Sequence, residues 1–114
     1  MPPSSAELSW QGDTLDLSGE LFGPDAAALV PLFRQVPLPA GGRLCIRMVD
    51  LDLEDGVSVA EMVNALRVLL SRGCALELHE APQMLAHTLY KVNMLATQPI
   101  TLVAPREDEG TGAG

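Results

Sequence analysis

The sequence predicts an α/β domain: a mixed sheet of four or five strands with helices packed chiefly on one face. Short runs of period-two alternation interleave with longer runs in which apolar residues recur at i, i+3, i+4 and i+7, the periods of strand and helix. The apolar residues are almost all aliphatic. Trp10, Phe22, Phe33 and Tyr90 are the whole aromatic set in 114 residues, and Leu, Val, Ile and Ala suit helices laid on a sheet. Pro and Gly mark the boundaries between runs.

Residues 1–5 (Met-Pro-Pro-Ser-Ser) read as a frayed leader. Residues 7–10 and 14–18 are strand candidates around a hairpin turn at Gln11-Gly12-Asp13. Leu15 and Leu17 alternate with Asp16 and Ser18, as in a half-buried strand. Leu21-Phe22-Gly23-Pro24-Asp25 ends that strand and opens a helix whose Ala26, Leu29, Val30 and Phe33 share one face. The Pro-Leu-Pro-Ala-Gly-Gly segment at 37–42 is a loop.

Residues 43–49 read as a buried strand that runs into an acidic turn, from Asp50 to Gly56. In the next helix Val59, Met62, Val63, Leu66, Leu69 and Leu70 form one stripe, with Glu61, Asn64 and Ser71 on the other side. Gly73 stands where a left-handed helix stop is wanted. Ala75–His79 is the next strand. Pro82 suits the first turn of a helix over 81–94, where a missing N–H costs nothing. Leu85, Leu89 and Val92 are its expected buried face, and Asn93 tolerates a left-handed stop. Ile100–Val103 is a last strand, and 107–114 is a polar, Gly-rich tail unable to bury enough surface to order itself. The reading is one domain over 6–104, flanked by a leader (1–5) and an acidic, Gly-rich tail (105–114), without internal repeats.

A formal net charge of −8 with seven scattered basic residues argues against nucleic acid, whose phosphates demand a clustered positive field. Cys45 and Cys74 fall in or beside strands without metal-ligand spacing, so both read as small buried hydrophobes in a reducing compartment. The N-terminus lacks a basic n-region and an apolar h-region. Arg47 interrupts the most apolar run, which is too short to cross a bilayer. The expected location is the cytoplasm.

The element order, with an acidic turn before the second long helix, resembles the STAS domain family of sulphate transporters and anti-sigma factor antagonists. Three local matches over residues 7–103 carry the resemblance. Leu17-Ser18-Gly19-Glu20-Leu21 is similar to the Gly-Glu stretch ending the family's second strand. Leu53-Glu54-Asp55-Gly56-Val57-Ser58 stands where the family has Asp-Ser-Ser-Gly-Leu-Gly, or Asp-Thr-Gly-Gly-Leu-Ala in lipid-transport members. Ala81-Pro82, Leu85, Leu89 and Asn93-Met94-Leu95 match its Pro-started third helix.

The resemblance implies a non-catalytic protein–protein interaction module in bacterial signalling. Its expected partner is an anti-sigma, kinase-like ATPase or a scaffold. By the same resemblance the contact surface is Glu54, Asp55, Ser58, Glu61 and Asn64, around the start of the second long helix. The family's phosphorylated Ser or Thr, two before the Gly, is Glu54 here. Neither Glu54 nor Asp55 has a hydroxyl, so the usual switch cannot operate at this spot. One carboxylate carries less charge than a phosphate and mimics it only partly. Ser58 is a displaced substitute acceptor. Two alternatives stay open: a cytoplasmic subunit bracing the ABC ATPase of a lipid-transport complex, and a self-assembling scaffold or homodimer.

Asp50, Asp52, Glu54 and Asp55 have two readings, as caps complementing a helix N-terminus and as a partner-facing acidic patch. With Glu61 they approach a calcium-loop spacing, but Asp55 holds the position that needs Gly, so calcium is not expected. His79 and His87 lack Cys/His metal spacing, and Gly41-Gly42 precedes a strand instead of a helix. No metal, cofactor or enzymatic activity is expected. His87, Tyr90 and Lys91 lie near one another on the third helix, with Tyr90 either at the core edge or an exposed anchor for a partner.

Overall fold

The computed structural model describes residues 7–104; the expected leader (1–5) and tail (105–114) lie outside the described residues. β1 (Glu7–Gln11) and β2 (Thr14–Leu21) form an antiparallel hairpin with Gln11 opposite Thr14. Gly12 takes φ +62° in the turn, a conformation glycine adopts without Cβ strain. The single helix expected next is two pieces, α1 (Gly23–Ala26) and α2 (Leu29–Gln35). Pro31 accounts for the interruption, because it has no N–H to give the carbonyl four residues back. The predicted face survives the break: Ala26, Leu29 and Phe33 are buried.

β3 (Arg43–Leu53) continues four residues past the predicted strand, through Asp50-Leu51-Asp52-Leu53. A bulge explains the difference. β2 and β3 pair in parallel as Asp16↔Arg47 and then Ser18↔Asp50, so β3 carries one extra residue. Before the bulge Leu44, Ile46 and Met48 face the core; after it Leu51 does, while Asp50 and Asp52 are exposed. The extra residue shifts the phase of alternation and keeps leucine on the buried face.

α3 (Gly56–Ser71) follows, then β4 (Ala75–His79), α4 (Gln83–Lys91), α5 (Met94–Thr97) and β5 (Ile100–Val103). The α3 stripe is buried except for the half-buried Leu70, and Gly73 turns the chain at φ +87°. The third predicted helix is corrected at both ends. Pro82 is its N-cap residue, and the helix stops at Lys91 before Asn93 at φ +65°. Val92 therefore leaves the helical face and is 45% exposed, against the expectation that it is core.

The sheet order is β1-β2-β3-β4-β5, antiparallel in the hairpin and parallel thereafter. Each parallel strand lies beside its predecessor, and crossovers of one hand then put every helix on the same face. Leu15, Ile46, Leu76 and Leu78 of the sheet meet Met62, Leu66 and Leu85 of the helices in one core. The other face carries polar side chains, among them Asp16, Arg47, Glu77 and His79. Cys45 sits on that open face, half-buried, and is not the core residue the sequence suggested; Cys74 is buried.

Candidate functional site

Two neighbouring strand-to-helix junctions meet at the carboxyl edge of the sheet, where open α/β sheets commonly place their sites. β2 turns into α1 at Gly23, and β3 turns into α3 at Asp55. Asp55 is the N-cap of α3 in extended conformation, and its Oδ1 accepts from the Ser58 N–H at 2.7 Å. Its Oδ2 accepts from the Gly23 N–H at 3.2 Å. The Glu54 N–H donates to the Leu21 carbonyl at 3.0 Å. One carboxylate thus ties both junctions together.

Hydrogen bonds from the Ser58 backbone first, and from Gly23 next, hold the Asp55 carboxyl below the usual carboxylate range. Gly23 has no room for a side chain, since a Cβ there would lie 2.6 Å from the Val57 Cβ.

Ser58 is the buried polar residue of the junction. It is 0% exposed, and its Oγ donates to the Asp55 carbonyl at 2.7 Å while accepting from the Asp55 N–H at 3.3 Å. This capping box takes Ser58 off the surface, so of the expected contact residues it alone is inaccessible. Glu54 and Asn64 are exposed, and Asp55 and Glu61 half-buried. The Asn64 Nδ2 donates to Glu61 Oε1 at 3.4 Å. Val57, which the sequence did not single out, is 56% exposed between them and Gly23. Of the four clustered acids, Asp55 alone caps the helix. Asp50 and Asp52 belong to β3 and point away from the core.

Elsewhere, Tyr90 is 74% exposed on α4, and His87 and Lys91 are exposed with it. On the open sheet face, Cys45, Glu77 and His79 bring three metal-ligating atoms within 4.8 Å of one another. Sequence spacing hid this group, because Cys45 and Glu77 become neighbours only through the β3–β4 register. A hydrogen bond from His79, then one from the Cys45 thiol, lowers the Glu77 carboxyl. Burial, then the bond to Glu77, raises the Cys45 thiol.

No protein-family model and no curated protein sequence matches the chain. Among solved structures it is similar to a Thermotoga maritima protein assigned as an anti-sigma factor antagonist. The TM-score is 0.57 at 14% identity, over 95% of this chain and 91% of that one. The chain has a STAS-like fold, as its motifs implied. Among the described residues, no helix is long and apolar enough to cross a membrane.

Proposed function

We propose that the chain is a non-catalytic docking module of the anti-sigma factor antagonist type, working in the bacterial cytoplasm without a phosphoryl switch at the start of α3. The chemistry of that helix start carries the reading. Glu54 occupies the position that the family fills with a phosphorylated Ser or Thr, and its neighbour Asp55 has no hydroxyl either. The nearest hydroxyl, on Ser58, is fully buried and committed to Asp55 in both directions. A kinase can reach it only by dismantling the cap that starts the helix.

The contact surface is then Glu54, the outer edge of Asp55, Glu61 and Asn64, with Val57 as its apolar centre and Ser58 beneath as support. Its partner is a protein with a basic surface, of the kinase-like ATPase or scaffold kind. Exposed carboxylates steer such an encounter and fix its register, while Val57 supplies surface that gains by leaving water. The negative charge at position 54 is permanent, so occupancy follows partner concentration and not a phosphorylation cycle.

Two measurements test this. Glu54→Lys and Glu61→Arg should each weaken binding to the captured partner by roughly tenfold, the effect of reversing a charge at a steered interface, with unchanged circular dichroism. Intact-mass analysis of protein from its native host should show no phosphate on Ser58. Unchanged affinity in both variants removes the surface; stoichiometric phosphate on Ser58 removes the non-switching mechanism.

A further inference from the structure

The open face of the sheet carries a group of side chains that docking through α3 does not use. Cys45 stands on β3, and Glu77 and His79 stand on β4, with Cys45 beside Glu77 and Arg47 beside His79 in the parallel register. Glu77 and His79 are two apart on one strand and so leave the same face. Cys45 joins them across the ladder. Its Sγ lies 3.4 Å from Glu77 Oε1 and 3.6 Å from His79 Nε2, and those two atoms are 3.3 Å apart.

These separations are those of a coordination shell. With ordinary zinc bond lengths and tetrahedral angles, sulfur and nitrogen ligands stand about 3.6 Å apart, sulfur and oxygen about 3.6 Å, and nitrogen and oxygen about 3.4 Å. The three observed distances agree with that triangle to within a few tenths of an ångström. The second oxygen of Glu77 is engaged separately: the Arg43 Nη1 donates to Oε2 at 3.1 Å. That pairing turns Oε1 toward the sulfur and the imidazole, the orienting part that outer partners play around bound metals.

We propose that Cys45, Glu77 and His79 form a binding site for a zinc-class divalent cation, with the fourth coordination position open to solvent. A thiolate and an imidazole select a borderline-soft ion such as Zn²⁺ over Ca²⁺ or Mg²⁺, which prefer oxygen alone. On binding, the Cys45 thiol releases its proton to solvent and the proton that His79 Nε2 shares with Glu77 Oε1 moves through solvent to Nδ1, which frees the Nε2 lone pair for the ion. Thiolate and carboxylate together carry two negative charges, which balance the ion. Glu77 and His79 side chains are 26% and 33% exposed, so an ion reaches the site without unfolding the sheet.

The test is titration of the purified full chain with Co²⁺ and then Zn²⁺. The expected result is one Co²⁺ per chain, giving a thiolate-to-cobalt charge-transfer band in the near ultraviolet that one equivalent of Zn²⁺ removes. Cys45→Ser should abolish the band, and His79→Gln should weaken zinc binding by more than about tenfold, since a lost ligand costs at least what a lost outer partner does. Cys74→Ser and His87→Gln should change neither. An independent readout on the unmodified chain covers any variant that fails to fold: Zn²⁺ should slow alkylation of Cys45, located by peptide mass mapping. No saturable band, a band that survives Cys45→Ser, or unprotected Cys45 overturns the proposal.

Discussion

The carboxylate of Asp55 accepts from Ser58 and from Gly23, residues at the starts of two different helices. Its folded-state pKa is lowered, which fixes the sign of its linkage. The stabilisation is present above the ordinary carboxylate range and is lost as pH falls through the lower folded value. Asp55→Asn keeps a capping side chain but no charge. The melting temperature of Asp55→Asn should therefore fall furthest below the parent at neutral pH and converge with it in acid; a gap independent of pH contradicts this account. Gly23 is constrained by packing, its would-be Cβ meeting the Val57 Cβ at 2.6 Å. Gly23→Ala should destabilise the chain by about 1–3 kcal/mol, the usual range for overpacking, as read by urea denaturation. Val57→Ala should rescue it only in part, because it removes the Cγ1 that would lie 2.7 Å away but keeps the Cβ at 2.6 Å.

Within β3, the bulge decides which residues are structural. Leu51 is 1% exposed beyond it, and Asp50 is exposed. Leu51→Ala should cost about 2–5 kcal/mol, as buried leucines do, and Asp50→Ser no more than about 0.5 kcal/mol. Equal, small losses would return this segment to a loop. Arg72 plays a corresponding part at the far end of α2, where its Nη1 donates to the carbonyls of Phe33 and Val36, each at 2.8 Å. Arg72→Met should lose about 1.5–3 kcal/mol, the range for hydrogen bonds from a charged donor, measured by the same denaturation.

Sequence periodicity reads well where the pattern is unbroken, as in the α3 stripe and in β4 and β5. It fails at residues 50–53 because one extra residue reverses the alternation just where two aspartates imitate a turn. It also runs α1 and α2 together where Pro31 interrupts them, and it misses α5 beyond the left-handed stop it expected at Asn93. The α3 start was legible from its motif, whereas the burial of Ser58 and the bond from Gly23 are tertiary. Cys45, Glu77 and His79 left one usable signal, polar residues at alternate positions on two strands, and only the register unites them.

At the scale of the whole molecule, a sheet with monotonic strand order has all its helices on one side and two separate surfaces left over. One is the carboxyl edge where α3 begins, fixed in position by Asp55. The other is the open face with its Cys-Glu-His group. At the first, the proposed function places a docking surface for a signalling partner that no phosphorylation switches. The most direct test captures the tagged chain from its native host cytosol beside its Glu54→Lys variant and identifies bound proteins by mass spectrometry. If the helix start is that docking surface, a kinase-like ATPase or sigma-pathway protein is recovered on the parent chain and depleted on Glu54→Lys. Recovery of an ABC ATPase, of further copies of the chain alone, or of the same partner at equal yield on both would contradict it.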